Sequence, residues 1–171
     1  LMVVDSENHR VQVFSCDDDG SFVSKFGEEG SQPGQLVNPW GIAIDHDHDR
    51  ILVVGSNHRL LSWPLSNQSV LPSVWSKRAG DVGLMYPTDA AIDKHHHRTI
   101  ITDAGNNRLV FLSSIDLSFL FEIGKRGSRP GEFNAPSSTA IDDDRHRIIV
   151  SDTGNHRVQV LSSIDGSFLF E

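Results

Sequence analysis

The chain has a single cysteine, Cys16, in 171 residues. One thiol cannot close an internal disulfide, so nothing here argues for an oxidising compartment, and a cytoplasmic location is the expectation. No apolar run approaches the roughly 18 residues that a membrane-spanning helix needs. No segment sustains a 3.6-residue apolar period, so no helix is predicted. Positive charge is in short supply: 15 Lys and Arg stand against 23 Asp and Glu, a formal net charge of −8. That balance discourages non-specific attraction to nucleic acid or to an anionic membrane. Leu1 is not an initiator methionine and no basic-then-apolar leader follows it, so the chain is expected to be an excerpt of a longer one.

What the sequence does have is repetition. Asp152-Thr153-Gly154-Asn155-His156-Arg157-Val158-Gln159-Val160 has counterparts at Asp5-Ser6-Glu7-Asn8-His9-Arg10-Val11-Gln12-Val13, at Gly55-Ser56-Asn57-His58-Arg59-Leu60-Leu61, and at Asp103-Ala104-Gly105-Asn106-Asn107-Arg108-Leu109-Val110. The asparagines fall at 8, 57, 106 and 155, a constant interval of 49 residues. A period of this size marks a propeller or solenoid. In the last repeat, Ser138 to Asp142, Ile148 to Val150, Val158 to Leu161 and Ser167 to Phe170 read as four short strands. Polar turns such as Asp143-Asp144-Arg145-His146-Arg147 and Thr153-Gly154-Asn155-His156 separate them. Four strands joined by turns make one antiparallel sheet. The same reading places inner strands at Trp40 to Asp45 and Thr88 to Asp93, second strands at Leu1 to Val4, Ile51 to Val54 and Thr99 to Thr102, and fourth strands at Ser21 to Phe26, Ser69 to Trp75 and Ser118 to Ile123. Gly- and Pro-rich connectors cross between repeats, clearest from Gly27 to Leu36 and from Gly124 to Phe133. The fold class is therefore all-β, a β-propeller of four-stranded antiparallel blades, with repeats at roughly 1–36, 37–84, 85–133 and 134–171.

These motifs also resemble a known family. The runs Asp-x-x-Asn-His-Arg-Val-Gln-Val-Phe and Phe-Gly-x-x-Gly-x-x-Pro-Gly-Gln-Leu-x-x-Pro-x-Gly-Ile-Ala-Ile-Asp are similar to the NHL repeat, in register four times over. Departures are Gly55 for the Asp, Asn107 for the His, and a weak connector from Ser76 to Tyr86, which single out the second blade as the least regular. The resemblance implies a ring of about six blades, needing roughly 290 residues at this period. The chain supplies about three and three-quarter blades, so it is expected to form part of a longer ring, with open edges that favour self-association.

A motif repeated in every blade suits a structural element better than a catalytic centre, which needs one constellation. The repeated Asp is expected to accept hydrogen bonds from turn amides and to pair with the Arg two residues beyond the Asn. Strand direction alternates, so the turns between second and third strands share one face with the connectors. Ten of the 15 basic residues fall on that face. The opposite face carries twelve aspartates and six of the nine histidines: His46, His48, His95, His96, His97 and His146. Alternating His and Asp can bind divalent metal, but the spacing is not shared between blades. The histidines are read as solvated turn residues, with no metal site and no cofactor expected.

The favoured function is a non-catalytic platform for protein–protein interaction through Arg59, Lys77, Arg78, Arg108, Lys125, Arg126, Arg129 and Arg157 on the connector face. The similarity to the propellers of TRIM-NHL-type proteins implies a substrate-recognising part of a ubiquitin-ligase-type protein. RNA is a second candidate ligand, weakened by the net charge and by sparse aromatics on that face, Trp40 and Tyr86. A metal-dependent lyase-like propeller is a third. Against it, the inner strands hold no histidine, and Asp89 is the lone charged residue near an inner-strand start. An extracellular sensor propeller is a fourth.

Overall fold

The computed structural model describes residues 1–17, 19–75 and 83–171, the Trp75 side chain excepted. It is all-β, with four separate antiparallel sheets in chain order. The first is three-stranded: β1 (Met2–Asp5), β2 (Arg10–Phe14) and β3 (Phe22–Phe26). The second comprises β4 (Pro39–Asp45), β5 (Arg50–Gly55), β6 (Arg59–Pro64) and β7 (Ser73–Trp75). The third comprises β8 (Pro87–Asp93), β9 (Arg98–Asp103), β10 (Arg108–Ser113) and β11 (Phe119–Ile123). The fourth comprises β12 (Ser138–Asp142), β13 (Arg147–Asp152), β14 (Arg157–Ser162) and β15 (Phe168–Phe170). Each sheet is a meander of sequential neighbours. The four blades form an arc of a β-propeller and do not close a ring.

Strands buried on both faces lose the usual apolar–polar alternation. In β5, all six residues are buried. Ile51 and Val53 point into one core with Val11, Phe26, Leu36, Leu61 and Trp63, which belongs to the first joint. Leu52 and Val54 point into the next, with Leu60, Ala90, Ile101, Val110 and Leu112. The third joint is built from Ile100, Leu109, Phe111, Phe133, Ile148, Val150 and Leu161. The hydrophobic core is thus three layers between blades.

The connectors close these layers from above. Phe133 and Leu36 turn inward from the connectors and are fully buried. Each pairs back across its own loop, Arg126 with Phe133 and Glu29 with Leu36. Gly124 permits this. Its φ is +93°, and a Cβ there would lie 2.4 Å from the Phe133 ring, so only glycine satisfies both the backbone and the plug.

Candidate functional site

The connector face is assembled from the repeated motif. After β1, β9 and β13 comes one 3₁₀ turn, and every blade then has a left-handed residue: His9, His58, Asn107 or His156, with φ between 54° and 60°. The preceding aspartate gathers the donors around it. Asp152 Oδ1 accepts from the Asn134 backbone N–H at 2.7 Å. Its Oδ2 accepts from Asn155 at 2.9 Å, Arg157 Nε at 2.8 Å and Gln159 at 3.0 Å. Burial pushes this carboxyl up, but the four donors outweigh it, so it sits below the usual carboxylate range. Asp103 accepts hydrogen bonds from Met85 N–H, Asn106 and Arg108, and Asp5 from Asn8, Arg10 and Gln12.

In the second blade the aspartate is replaced by Gly55, where a Cβ would stand 2.9 Å from the Val37 carbonyl and 3.0 Å from that of Asn38. The connector runs too close for any side chain. Asn57 substitutes, with its amide oxygen turned to Arg59 Nε at 3.2 Å and NH2 at 2.6 Å.

The left-handed residue reaches forward to the next connector. His9 Nδ1 accepts from Asn38 N–H at 3.0 Å and His58 Nδ1 from Tyr86 N–H at 2.9 Å. Asn107 Oδ1 accepts from Ala135 N–H at 2.9 Å. Histidine and asparagine interchange here because both offer an acceptor at that distance and asparagine tolerates the left-handed backbone. The Asp and Arg therefore clamp the connector entering their own blade, and the His or Asn clamps the connector leaving it.

This arrangement divides the basic residues singled out in the sequence. Arg59 donates to the Ser31 and Gln35 carbonyls at 2.7 and 3.3 Å. Arg108 is buried between Asp103 and Glu122, at 2.8 and 2.5 Å. Arg157 bonds Asp152, Glu171 and the carbonyls of Arg129 and Glu132. These three act inside the blade joints. Lys77 and Arg78 lie outside the described residues. Lys125, Arg126 and Arg129 share one exposed connector, between the third and fourth blades. Lys125 is 77% exposed and 3.5 Å from Glu132. Glu132 is held below its ordinary value first by the Arg129 backbone N–H, then by Lys125. Arg126 borders a shallow cleft of about 220 Å³ with Gly127, Ser128, Asn134 and Asn155. Neither the Arg126 nor the Arg129 guanidinium has an ion-pair partner within 4.0 Å among the described residues, and the Arg129 charge reaches Glu132 only at longer range. The sequence contained the signal for this division: Arg59, Arg108 and Arg157 each stand at the motif position that the joint uses, and the connector cations do not.

Two aromatics flank the inner-strand starts. Trp40 is 59% exposed and donates to Ser56 Oγ at 3.1 Å. Tyr86 is 52% exposed and packs edge-on against His58. Asp89, the charged residue near an inner-strand start, accepts from Ser138 Oγ at 2.7 Å and Thr139 N–H at 2.9 Å. It pins β8 to β12.

Comparison with known families agrees with this architecture. The NHL repeat model matches residues 133–161, from the buried Phe133 plug to the end of the motif strand. A second family model, described as a 6-bladed beta-propeller, matches residues 1–72, the first blade and the second as far as the turn before β7. No curated protein matches the chain. With the Asp–Asn–Arg clamp in three blades and its Asn–Arg variant in the remaining one, the chain is a β-propeller that carries the NHL repeat.

Proposed function

We propose that the chain is a non-catalytic recognition platform whose connector face binds an acidic segment of a protein partner through Lys125, Arg126 and Arg129. One observation carries this reading: the two guanidiniums of Arg126 and Arg129 stand exposed on a rigid connector with no ion-pair partner among the described residues, while the motif arginines are engaged in the joints. Guanidinium groups held on a fixed backbone suit bidentate capture of carboxylates. NHL propellers serve as interaction scaffolds, and in a larger cytoplasmic polypeptide this face would recruit the substrate of a ubiquitin-ligase-type protein. The engagement of Asp89 in a joint supports a role without catalysis.

The test compares a fluorescent oligoglutamate peptide with a single-stranded RNA of equal charge. The expected result is salt-sensitive peptide binding that Arg126→Glu with Arg129→Glu abolishes and that Arg145→Glu, on the opposite face, leaves in place. Binding of the RNA in preference to the peptide, with the same dependence on Arg126 and Arg129, would replace the protein partner by RNA. Binding indifferent to both arginines would overturn the site.

A further inference from the structure

On the face opposite the connectors, three histidines meet across a blade joint. His95 and His96 come from the turn between β8 and β9, and His146 from the turn between β12 and β13. One potential ligand atom from each lies within 4.8 Å of the other two. The rings are packed together, with centroids 5.0 Å apart for His95 and His96, 4.6 Å for His95 and His146, and 5.9 Å for His96 and His146. We propose that these three imidazoles form a binding site for a divalent transition-metal ion, zinc being the best match, that staples the third blade to the fourth.

Two features beyond proximity point to a ligand. The first is the support of His96. Its Nδ1 lies 3.0 and 3.1 Å from the two carboxylate oxygens of Asp93. Asp93 is fully buried and itself held by Arg98 at 2.6 Å. A carboxylate on one imidazole nitrogen fixes the tautomer and leaves the other nitrogen with its lone pair, the arrangement that supports metal-bound histidines. The second is His146. Its Nδ1 is buried and has no hydrogen-bond partner, alone among the described side chains in this respect. The backbone beneath it is fixed: φ is 52°, and its carbonyl accepts from Ser163 N–H at 2.8 Å. A buried imidazole nitrogen without a partner is a poor arrangement, and in the tautomer that leaves it a lone pair a cation in the cluster would give it one.

Charge and geometry suit a small cation. Asp142, Asp143 and Asp144 share the turn that carries His146, against Lys94 and Arg145 on the same face. Nitrogens around a tetrahedral zinc at ~2.1 Å stand about 3.4 Å apart. Closing the observed spacing, within 4.8 Å, to this value takes side-chain rotation of all three rings, of which His95 is the exposed one. Three imidazoles leave one coordination position open to water or to a partner's side chain.

The preceding joint is a built-in comparison. There the corresponding positions are Asp47, His48 and His97, and His48 Nδ1 again contacts an aspartate, Asp45, at 2.9 Å. No second group of three ligands gathers among the described residues. The site thus arises where His95 and His146 both supply imidazole, and it does not come with the repeat.

The experiment titrates the chelator-stripped chain with zinc chloride by calorimetry and follows the absorption of cobalt(II) at the same site. Expected are one ion per chain, a tetrahedral cobalt spectrum and a raised melting temperature. His95→Asn, His96→Asn and His146→Asn should each weaken binding at least ~10-fold, with His46→Asn and His97→Asn unchanged. Asparagine at 146 keeps the left-handed turn, and an unaltered far-UV spectrum confirms the fold. No binding by the parent chain, a stoichiometry well above one, or equal loss in His97→Asn would each overturn the proposal.

Discussion

Replacing Asp152 by asparagine changes almost no volume and removes one charge. The native carboxylate receives four hydrogen bonds, three of them at Oδ2, between 2.8 and 3.0 Å. An asparagine can present its oxygen to that trio or to Asn134 N–H, but its amide then points donors at donors on the other side. A hydrogen bond to a charged group contributes about 1.5–3 kcal/mol, and breaking a buried ion pair costs about 3–5 kcal/mol. Arg157 keeps Glu171 and two carbonyl acceptors, which places the expected loss near the lower end, about 3 kcal/mol. With a urea slope of about 2 kcal/mol/M, the midpoint should fall by roughly 1.5 M with little change in slope. Asp144→Asn, on an exposed turn, is the control and should move the midpoint by no more than about 0.3 M. If Asp152→Asn behaves like that control, the carboxylate is not what holds the connector, and the structural reading of the motif fails.

Other consequences can be checked in the same assay. Leu109 and Val158 hold equivalent positions in consecutive blades, one fully buried and the other 50% exposed. Leu109→Ala should cost about 2–5 kcal/mol and Val158→Ala less than about 1 kcal/mol. Gly124→Ala and Gly131→Ala both place alanine at positive φ, but only the first drives a Cβ into the Phe133 ring. Its loss should exceed that of Gly131→Ala by at least about 1 kcal/mol, and equal losses would remove the plug argument. Asp45 and Asp152 both have folded-state pKa values below normal: burial raises them, but hydrogen bonds outweigh it, led by His48 and Arg50 at Asp45 and by Asn134 at Asp152. The folded protein therefore binds fewer protons than the unfolded chain. Stability is full above the unfolded carboxylate value of about 3.9 and is lost as pH falls below it. Thermal melts that are flat down to pH 5 and fall steeply below 4 are expected, and a decline centred near neutrality would contradict this.

The 49-residue period made the fold legible because every repeat restates the same strands and turns. Observed strands begin or end within one or two residues of the expected ones, with a physical cause where they differ. Pro39 and Pro87 open β4 and β8 one residue early, since the first position of a strand needs no N–H donor. The fourth strand of the second blade is expected over Ser69 to Trp75 but begins at Ser73. Pro72 has no N–H to give, and Asn67 ties Ser69 and Val70 into a turn. The 3₁₀ turns are not legible in the sequence because three residues are too few to show a period. At the candidate site, the pairing of Asp with Arg could be read from spacing. The engagement of Arg59 and Arg157 with backbone carbonyls 24 to 28 residues away could not. The histidine cluster was equally hidden. It needs two turns from different blades, and only packing brings residues 96 and 146 together.

The exposure of equivalent residues shows how the repeat is meant to work. Leu52, Ile101 and Val150 are fully buried, whereas Val3, one period before Leu52, is 40% exposed. Val11, Leu60 and Leu109 are buried, whereas Val158 is half exposed. A blade therefore has two distinct apolar faces, and each is completed only by the opposite face of a neighbour. The same holds for the polar clamps: His9, His58 and Asn107 each grip the following connector. Because the contacts run from blade to next blade, a change at one joint is felt mainly there, as in other repeat proteins. A joint can then acquire a feature of its own without disturbing the rest. The connector between the third and fourth blades presents cations that no clamp uses, and the turns beneath the same joint gather three imidazoles. Both lie where the fold's common contacts are already satisfied by Asp152, Arg157 and Phe133. That freedom is what allows a structural repeat to carry a site.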